Sequence, residues 1–403
     1  MERSAIWSLN CSLELIGMTF LIYRKFSTCI ECVCISDIIA RNSYTFLHIR
    51  NEMSRPPETT LVLSSREALN SNAVIGIDTQ FLTVSDFLKG IKLIPAGMHL
   101  FHYSDSVDDG TSVRFGRWFE CKGNDIIAVE FKDDACVFRY LTMVPENLGD
   151  LYQQMVEYPE DHKAWKSLVN FVDTEVVEEF CPHELPVSTS TPSREENMVL
   201  ADILMAKNPK QKIDTQASEE LRYTIIQGTV PGETHGKDLS AITRDALDRS
   251  WYLSQLFGHD LELLLGELQL CFVHFIVLGN LCSCTQWSNL LKLVSMSASF
   301  LYQNHTFADS FLQVLVAQLL KIPPEYISST SNNSIVDIPV YLQTMENLYH
   351  VFGQSKAWET LRRVNAKLGF DLSFASKVDD DNFEVFDLEK YDENDEDAPM
   401  VVF

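Results

Sequence analysis

The sequence predicts an α+β protein, with an N-terminal antiparallel β sandwich or barrel-like domain, then an α-helical domain and an acidic C-terminal tail. Three observations carry this. Between Val74 and Leu141, short runs rich in Val, Ile, Phe and Tyr recur between Gly and Asp turns, the spacing of a small antiparallel sheet. From about Ala241 to Asp371 the apolar period becomes that of helices. Between Asp379 and Asp397 eleven carboxylates stand against one lysine, a net of −10. Such a stretch buries too little to order itself alone.

Residues 1–71 fit the rest poorly and are expected to be a variable or artefactual N-terminal extension. Met53 opens a polar Ser-Arg-Pro-Pro-Glu stretch and is an alternative start. Leu9–Tyr23 is apolar but interrupted by Asn10 and Glu14, and it falls short of the roughly 18–20 residues a membrane span needs. Met1-Glu2-Arg3 has no net positive charge and no clean small-x-small cleavage pattern follows, so no signal peptide is expected.

A β-rich domain with helices is expected over 72–180. Its strands are Val74–Asp78, Phe81–Val84, Gly90–Ile94, Met98–Tyr103, Arg114–Cys121, Ile126–Phe131 and Cys136–Leu141. In Met98–Tyr103, alternation puts His99, Phe101 and Tyr103 on one face and Met98, Leu100 and His102 on the other. Helices are expected over Leu151–Val156 and Ala164–Phe180, the second with Trp165, Leu168, Val169 and Val172 on one stripe. Pro182, Pro186, the Ser188–Ser193 run and Lys207–Lys212 mark a linker over 181–220. The helical domain, 221–372, opens with a lone strand, Tyr223–Gln227. Leu261–Leu281 is apolar nearly all round and reads as a buried central helix. Thr285–Ser295, Phe307–Leu320, Ile338–Phe352 and Lys356–Leu368 are amphipathic, with Pro323-Pro324 and Gly353 as breakers. The tail, 373–403, ends in the apolar Ala398-Pro399-Met400-Val401-Val402-Phe403.

Chemistry is harder to find. A length of 403 residues favours two or three domains, and a net charge of −25 speaks against a broad nucleic-acid clamp. Ten cysteines are too dilute for a disulfide scaffold. Most, such as Cys121, Cys136 and Cys271, sit singly in apolar runs and read as small core residues. Cys29-x2-Cys32-x-Cys34 has metal-like spacing, but the only nearby fourth ligand is His48. The sequence has no Gly-x-Ser-x-Gly, His-Glu-x-x-His or Gly-x-Gly-x-x-Gly. Gly232–Asp238 misses a phosphate loop by one residue and by the Asp after Lys237, so it reads as a helix-capping loop. His99 and His102 face opposite ways and cannot chelate together. His274 reads as a hydrogen-bonded core residue. Glu267, among leucines, needs a partner, and a buried salt bridge or a helix cap is expected. No catalytic residue, cofactor or metal is assigned. The tail is open to three readings: a solvated terminus, a mimic of nucleic-acid charge, or an acidic tether whose last residues add as a strand to a partner's sheet edge.

Several segments carry a resemblance. They are Gly76-Ile-Asp78, Lys89–Gly97 with His99–Tyr103, Arg114–Phe119, Tyr158-Pro159, Trp165–Phe171, Gly266–Phe272, Gly279-Asn280, Gln286-Trp287 and Ala398–Val402. In this order, from about residue 73 to the end, the chain resembles the cistron-splicing factor family (AAR-two), assembly factors of the U5 small nuclear ribonucleoprotein (snRNP). The resemblance implies a VHS-like helical domain and a non-enzymatic role in nucleus and cytoplasm. It also implies binding to the RNase H-like and Jab/MPN domains of the largest U5 protein, mutually exclusive with the U5 helicase, with RNA affected only indirectly and no membrane involved. By the same resemblance the docking strand falls on Pro399, Met400, Val401, Val402 and Phe403, and release follows phosphorylation of Ser297, with Ser295 as the alternative. The rival reading is a direct RNA-binding splicing protein, for which Arg114, Arg117 and Trp118 are the local hint.

Overall fold

The computed structural model describes residues 55–372 except 65–72, 86–87, 105–112, 133–134, 160, 184, 208–218, 229–242, 244–245, 259 and 328–333. The tail with Pro399–Phe403, the Cys29–Cys34 cluster and Gly232–Asp238 lie outside them. The strands are β1 (Thr59–Leu63), β2 (Val74–Ile77), β3 (Gln80–Thr83), β4 (Gly90–Ile94), β5 (Gly97–Ser104), β6 (Arg114–Cys121), β7 (Ile126–Lys132), β8 (Ala135–Tyr140), β9 (Val156–Glu157) and β10 (Val187–Ser188). They form two five-stranded sheets, β8-β7-β1-β4-β9 and β10-β6-β5-β2-β3. All seven strands expected between Val74 and Leu141 are present.

Two expectations are corrected. The extension drawn over residues 1–71 contains β1, the central strand of the first sheet, with all five residues buried. Leu61 and Leu63 face the inter-sheet core while Val62 packs with Ile126, Leu148 and Met155 on the other face. A strand covered on both sides shows no alternation, which is why its period is invisible in sequence. The sheets are also not purely antiparallel: β1 runs parallel to β7, and β4 parallel to β9. The short β9 occupies the end of the expected Leu151–Val156 helix, because α1 (Leu148–Gln153) closes sooner.

The two faces of β5 set the architecture. Phe101 and Tyr103 point into the core shared with the first sheet, alongside Ile75, Ile77, Phe119 and Val129. Leu100 instead joins the core of the helical region, and so does Trp118 on β6. The second sheet is therefore a middle layer, sandwiched between the first sheet and the helices. The expected Ala164–Phe180 helix is broken into α2 (His162–Val169) and α3 (Thr174–Phe180), with the Asp173 carboxylate capping α3 through the Val176 N–H.

The expected linker is partly built into the fold. Its Val187–Ser188 adds to β6 as the edge strand β10, and α4 (Arg194–Lys207) follows. Tyr223–Gln227, expected as a strand, is extended but carries no strand pairing. Beyond it come α5 (Ser250–Phe257), α6 (Leu261–Val273), a π-helical turn (His274–Leu278), α7 (Leu281–Ser295), α8 (Ala298–Gln303), α9 (His305–Lys321), α10 (Ile338–Phe352) and α11 (Lys356–Lys367). Leu261–Leu278 is long and apolar enough to cross a membrane, yet 83% of it is buried inside the fold, so it is the core helix. Gly266 is required where α6 passes the α2–α3 turn: a Cβ there would stand 2.7 Å from the Phe171 carbonyl oxygen.

Candidate functional site at the domain seam

The sequence places few polar residues in apolar elements, and the fold gathers most of them along one seam between sheet and helices. Arg114 on β6 donates to the Val277 carbonyl at 2.7 Å, across the layer boundary. Trp118 Nε1–H donates to His274 Nε2 at 2.8 Å, and His274 Nδ1 meets the Tyr223 hydroxyl at 3.0 Å. The indole N–H fixes Nε2 as an acceptor, so the ring is the neutral Nδ1–H tautomer. Burial alone pushes its pKa down to about 3. His274 thus matches its expected role as a bonded core residue.

The π turn positions the next group. Gly279 closes it at φ 69, a left-handed conformation natural to glycine. Asn280 then caps α7: its Oδ1 accepts from the Ser283 N–H at 2.9 Å. Its Nδ2 donates to the carbonyls of Ser188 and Thr191, each at 2.9 Å. The Thr189 hydroxyl donates to the Leu278 carbonyl at 2.7 Å. One asparagine therefore ties the linker, the edge of the second sheet and the central helices together.

Glu267 forms neither of the contacts expected of it. It has no cation and caps no helix. Its carboxylate accepts from the Thr224 N–H at 2.7 Å, the Thr224 hydroxyl at 2.8 Å and Gln286 Nε2 at 2.8 Å. The contacts bind the Tyr223–Gln227 segment to α6 and α7. Burial outweighs those hydrogen bonds and pushes the carboxyl up to about 7. The neighbouring Trp287 donates to Gln318 Oε1 at 2.9 Å, and Gln318 donates on to the Leu268 carbonyl at 3.0 Å. Each of these polar side chains is consumed in holding one element to another.

A second buried cluster lies within the sandwich. Asp78, at φ 58, follows β2. Its Oδ2 meets His99 Nδ1 at 2.7 Å and accepts from the Tyr158 hydroxyl at 2.5 Å, while Oδ1 accepts from the Leu100 N–H at 3.0 Å. His99 Nε2 lies 3.0 Å from the Pro95 carbonyl oxygen. Both ring nitrogens are therefore engaged and shielded from solvent, and a general base needs one within reach of a substrate. Burial pushes the Asp78 carboxyl up, against the pull of His99, Tyr158 and the Leu100 amide. His102, on the other face as expected, is buried between Arg114 and the β2–β3 hairpin, and burial pushes it well down.

Among the described residues no group of His, Cys, Asp and Glu is placed to hold a metal. The six described cysteines are buried free thiols. Those at 121, 136, 181, 282 and 284 are pushed up to about 12 by burial, which leaves them inert. The hint of an RNA surface dissolves: Arg114 and Trp118 are buried in the seam, and Arg117 donates to the Cys136 carbonyl at 3.2 Å. Ser297 and Ser295 are both buried at the α7–α8 corner. The Ser297 hydroxyl donates to the Leu293 carbonyl at 2.8 Å and that of Ser295 to the Lys292 carbonyl at 3.0 Å. What lies open is apolar. Met198, Val199, Leu200, Ile203 and Met205 on α4 are each about half exposed. A cleft of about 390 Å³ separates that helix from α7. Exposed apolar surface of this extent marks an interaction face.

Comparison with known proteins covers both layers of this architecture. Residues 57–182 match the AAR2 N-terminal domain, and residues 223–373 match the AAR2 C-terminal repeat region. The chain is 26% identical over 359 residues to the A1 cistron-splicing factor AAR2 of Saccharomyces cerevisiae, covering 81% of this chain and 94% of that protein. It is 26% identical over 297 residues to the human protein AAR2 homolog, covering 62% of this chain and 73% of that one. The Caenorhabditis elegans homolog is 22% identical over 280 residues, 62% of this chain and 76% of that relative.

Proposed function

The chain belongs to the AAR2 family, and from that premise we propose that it is a non-catalytic assembly factor of the U5 snRNP in pre-mRNA splicing. A splicing role is the coarser statement and follows from the family, whose yeast member is named a cistron-splicing factor. In the finer reading, the chain binds the RNase H-like and Jab/MPN domains of the largest U5 protein. It acts by occupancy in both cytoplasm and nucleus, blocking premature helicase loading. The helical region is read as VHS-like, and the terminal Pro399–Phe403 as the strand that adds to a partner's sheet edge.

The observation that carries the reading is where the buried polar groups go. His99, Glu267, His274 and Asn280 are each engaged in joining one part of the fold to another, while the open surface on α4 is apolar. That distribution suits a protein that acts through its surfaces. Phosphorylation of Ser297 or Ser295 would then release the partner by forcing the α7–α8 corner open, because a phosphate of about −1.5 to −2 charges has no room beside α7's C-terminal carbonyls.

A pull-down from nuclear and cytoplasmic extracts with the tagged full chain tests the proposal. Recovery of the largest U5 protein without the U5 helicase is expected. Deleting Asp379–Phe403 should weaken that recovery at least tenfold and leave thermal unfolding unchanged. Recovery of RNA without the U5 protein would overturn the reading in favour of direct RNA binding.

A further inference from the structure

The largest open cleft on the molecule, about 900 Å³, runs between α2 of the sandwich and α9 and α11 of the helical region. Its floor is apolar, with Phe171 half-buried and Leu320 59% exposed. Lys163, Lys166 and Lys321 stand on its walls against the one carboxylate of Asp309. This is an unusual concentration in a chain of net charge −25. The helix that completes the cleft extends the basic character, since α11 carries Lys356, Arg362, Arg363 and Lys367 against Glu359 alone.

The chain contains a segment of complementary chemistry immediately downstream. Between Asp379 and Asp397 it has a net charge of −10 and interleaves Phe383, Val385, Phe386 and Leu388 with the carboxylates. Geometry lets one reach the other. Ala357 and Thr360, in the first turns of α11, line the cleft. The 12 residues of α11 span only about 18 Å, and the eleven residues from Leu372 to Phe383 extend up to about 36 Å. We infer that the acidic tail folds back onto its own chain, its carboxylates against Lys163, Lys166 and Lys321 and its aromatic residues on the apolar floor. In this state the terminal Val401–Phe403 is tethered beside the body until a partner's sheet edge displaces the tail. A free apolar strand end would otherwise be open to pairing with other chains. The inference concerns the isolated chain and goes beyond the partner reading.

The test is zero-length carbodiimide cross-linking of the full chain at micromolar concentration, with peptides from the monomer band read by mass spectrometry. Cross-links from Lys163, Lys166 or Lys321 to carboxylates within Asp379–Asp397 are expected. A Glu-specific protease provides a second readout. Cleavage after Glu384 and Glu389 should be at least threefold slower in the unmodified chain than in the combined variant Lys163→Ala, Lys166→Ala, Lys321→Ala. High salt should abolish the protection in the unmodified chain, so this arm needs no variant. Equal and salt-independent cleavage, cross-links confined to the dimer band, or cross-links spread evenly over lysines elsewhere would each overturn the fold-back. No partner is present in the assay, so its failure leaves the U5 proposal standing.

Discussion

The sandwich and the helical region each bury one carboxylate, and they neutralise it differently. Asp78 meets a potential cation, His99, together with the Tyr158 hydroxyl and a backbone amide. Glu267 meets only dipoles: an amide and a hydroxyl from Thr224 and the amide of Gln286. A charge partner makes a buried acid hard to remove, because deletion strands the other ion. A shell of dipoles makes it replaceable by a neutral isostere, and leaves its stability contribution dependent on pH.

The largest effect should come from Asp78→Ala, which strands His99 and Tyr158 and discards a side chain suited to the left-handed backbone at φ 58. A loss of about 3–5 kcal/mol in urea unfolding is expected. A loss below about 1 kcal/mol would show that the pair is held no more strongly than Glu267. Next is Asn280→Ala, which removes the α7 cap and two buried bonds to the linker. About 2–4 kcal/mol should be lost, with amide exchange rising first over Val187–Thr191.

Glu267→Gln sharpens the contrast through pH. The Glu267 carboxyl is raised from its ordinary 4.5 to about 7, so between those values the folded state holds a proton that the unfolded state has lost. Its contribution is fully present below pH 4.5 and disappears as pH rises through about 7. Unfolding curves should show the variant gaining on the wild type by up to about 3 kcal/mol between pH 4.5 and pH 8. His274, lowered to about 3, acts in the opposite sense. Its contribution is present above pH 6.5 and is lost as the pH falls toward 3, so the variant should destabilise more steeply on acidification than the wild type. A constant offset between the two proteins at every pH would remove Glu267 from the account. The smallest effect belongs to Ser297→Ala, which deletes one bond to Leu293 within the helix corner and should cost within about 1 kcal/mol by thermal unfolding.

Alternation and helical period were legible wherever one face of an element meets solvent or one layer. Ile338–Phe352 and Lys356–Lys367 agree with the sequence reading to within a residue. The signal failed at β1, buried on both faces, and in the Ser/Thr-Pro segment. There composition reads as a linker, although Asn280, some 90 residues away, gives that segment its hydrogen bonds. Glu267 was legible as a carboxylate in need of partners, but the partners were not, because Thr224 and Gln286 lie 43 and 19 residues from it. The histidine faces of β5 were fully readable, since a strand's period of two needs no tertiary information.

The π turn at His274–Leu278 sets a limit on how this chain can vary in length. A wide turn amounts to one residue more than an α-helix requires. Deleting a single residue there would let α6 run on as regular helix, but would rotate everything downstream by about 100°. Asn280 would swing away from Ser188 and Thr191, and Gln286 from Glu267. Substitutions across this stretch can be absorbed one at a time, whereas a one-codon deletion would uncouple the two halves of the protein at a stroke.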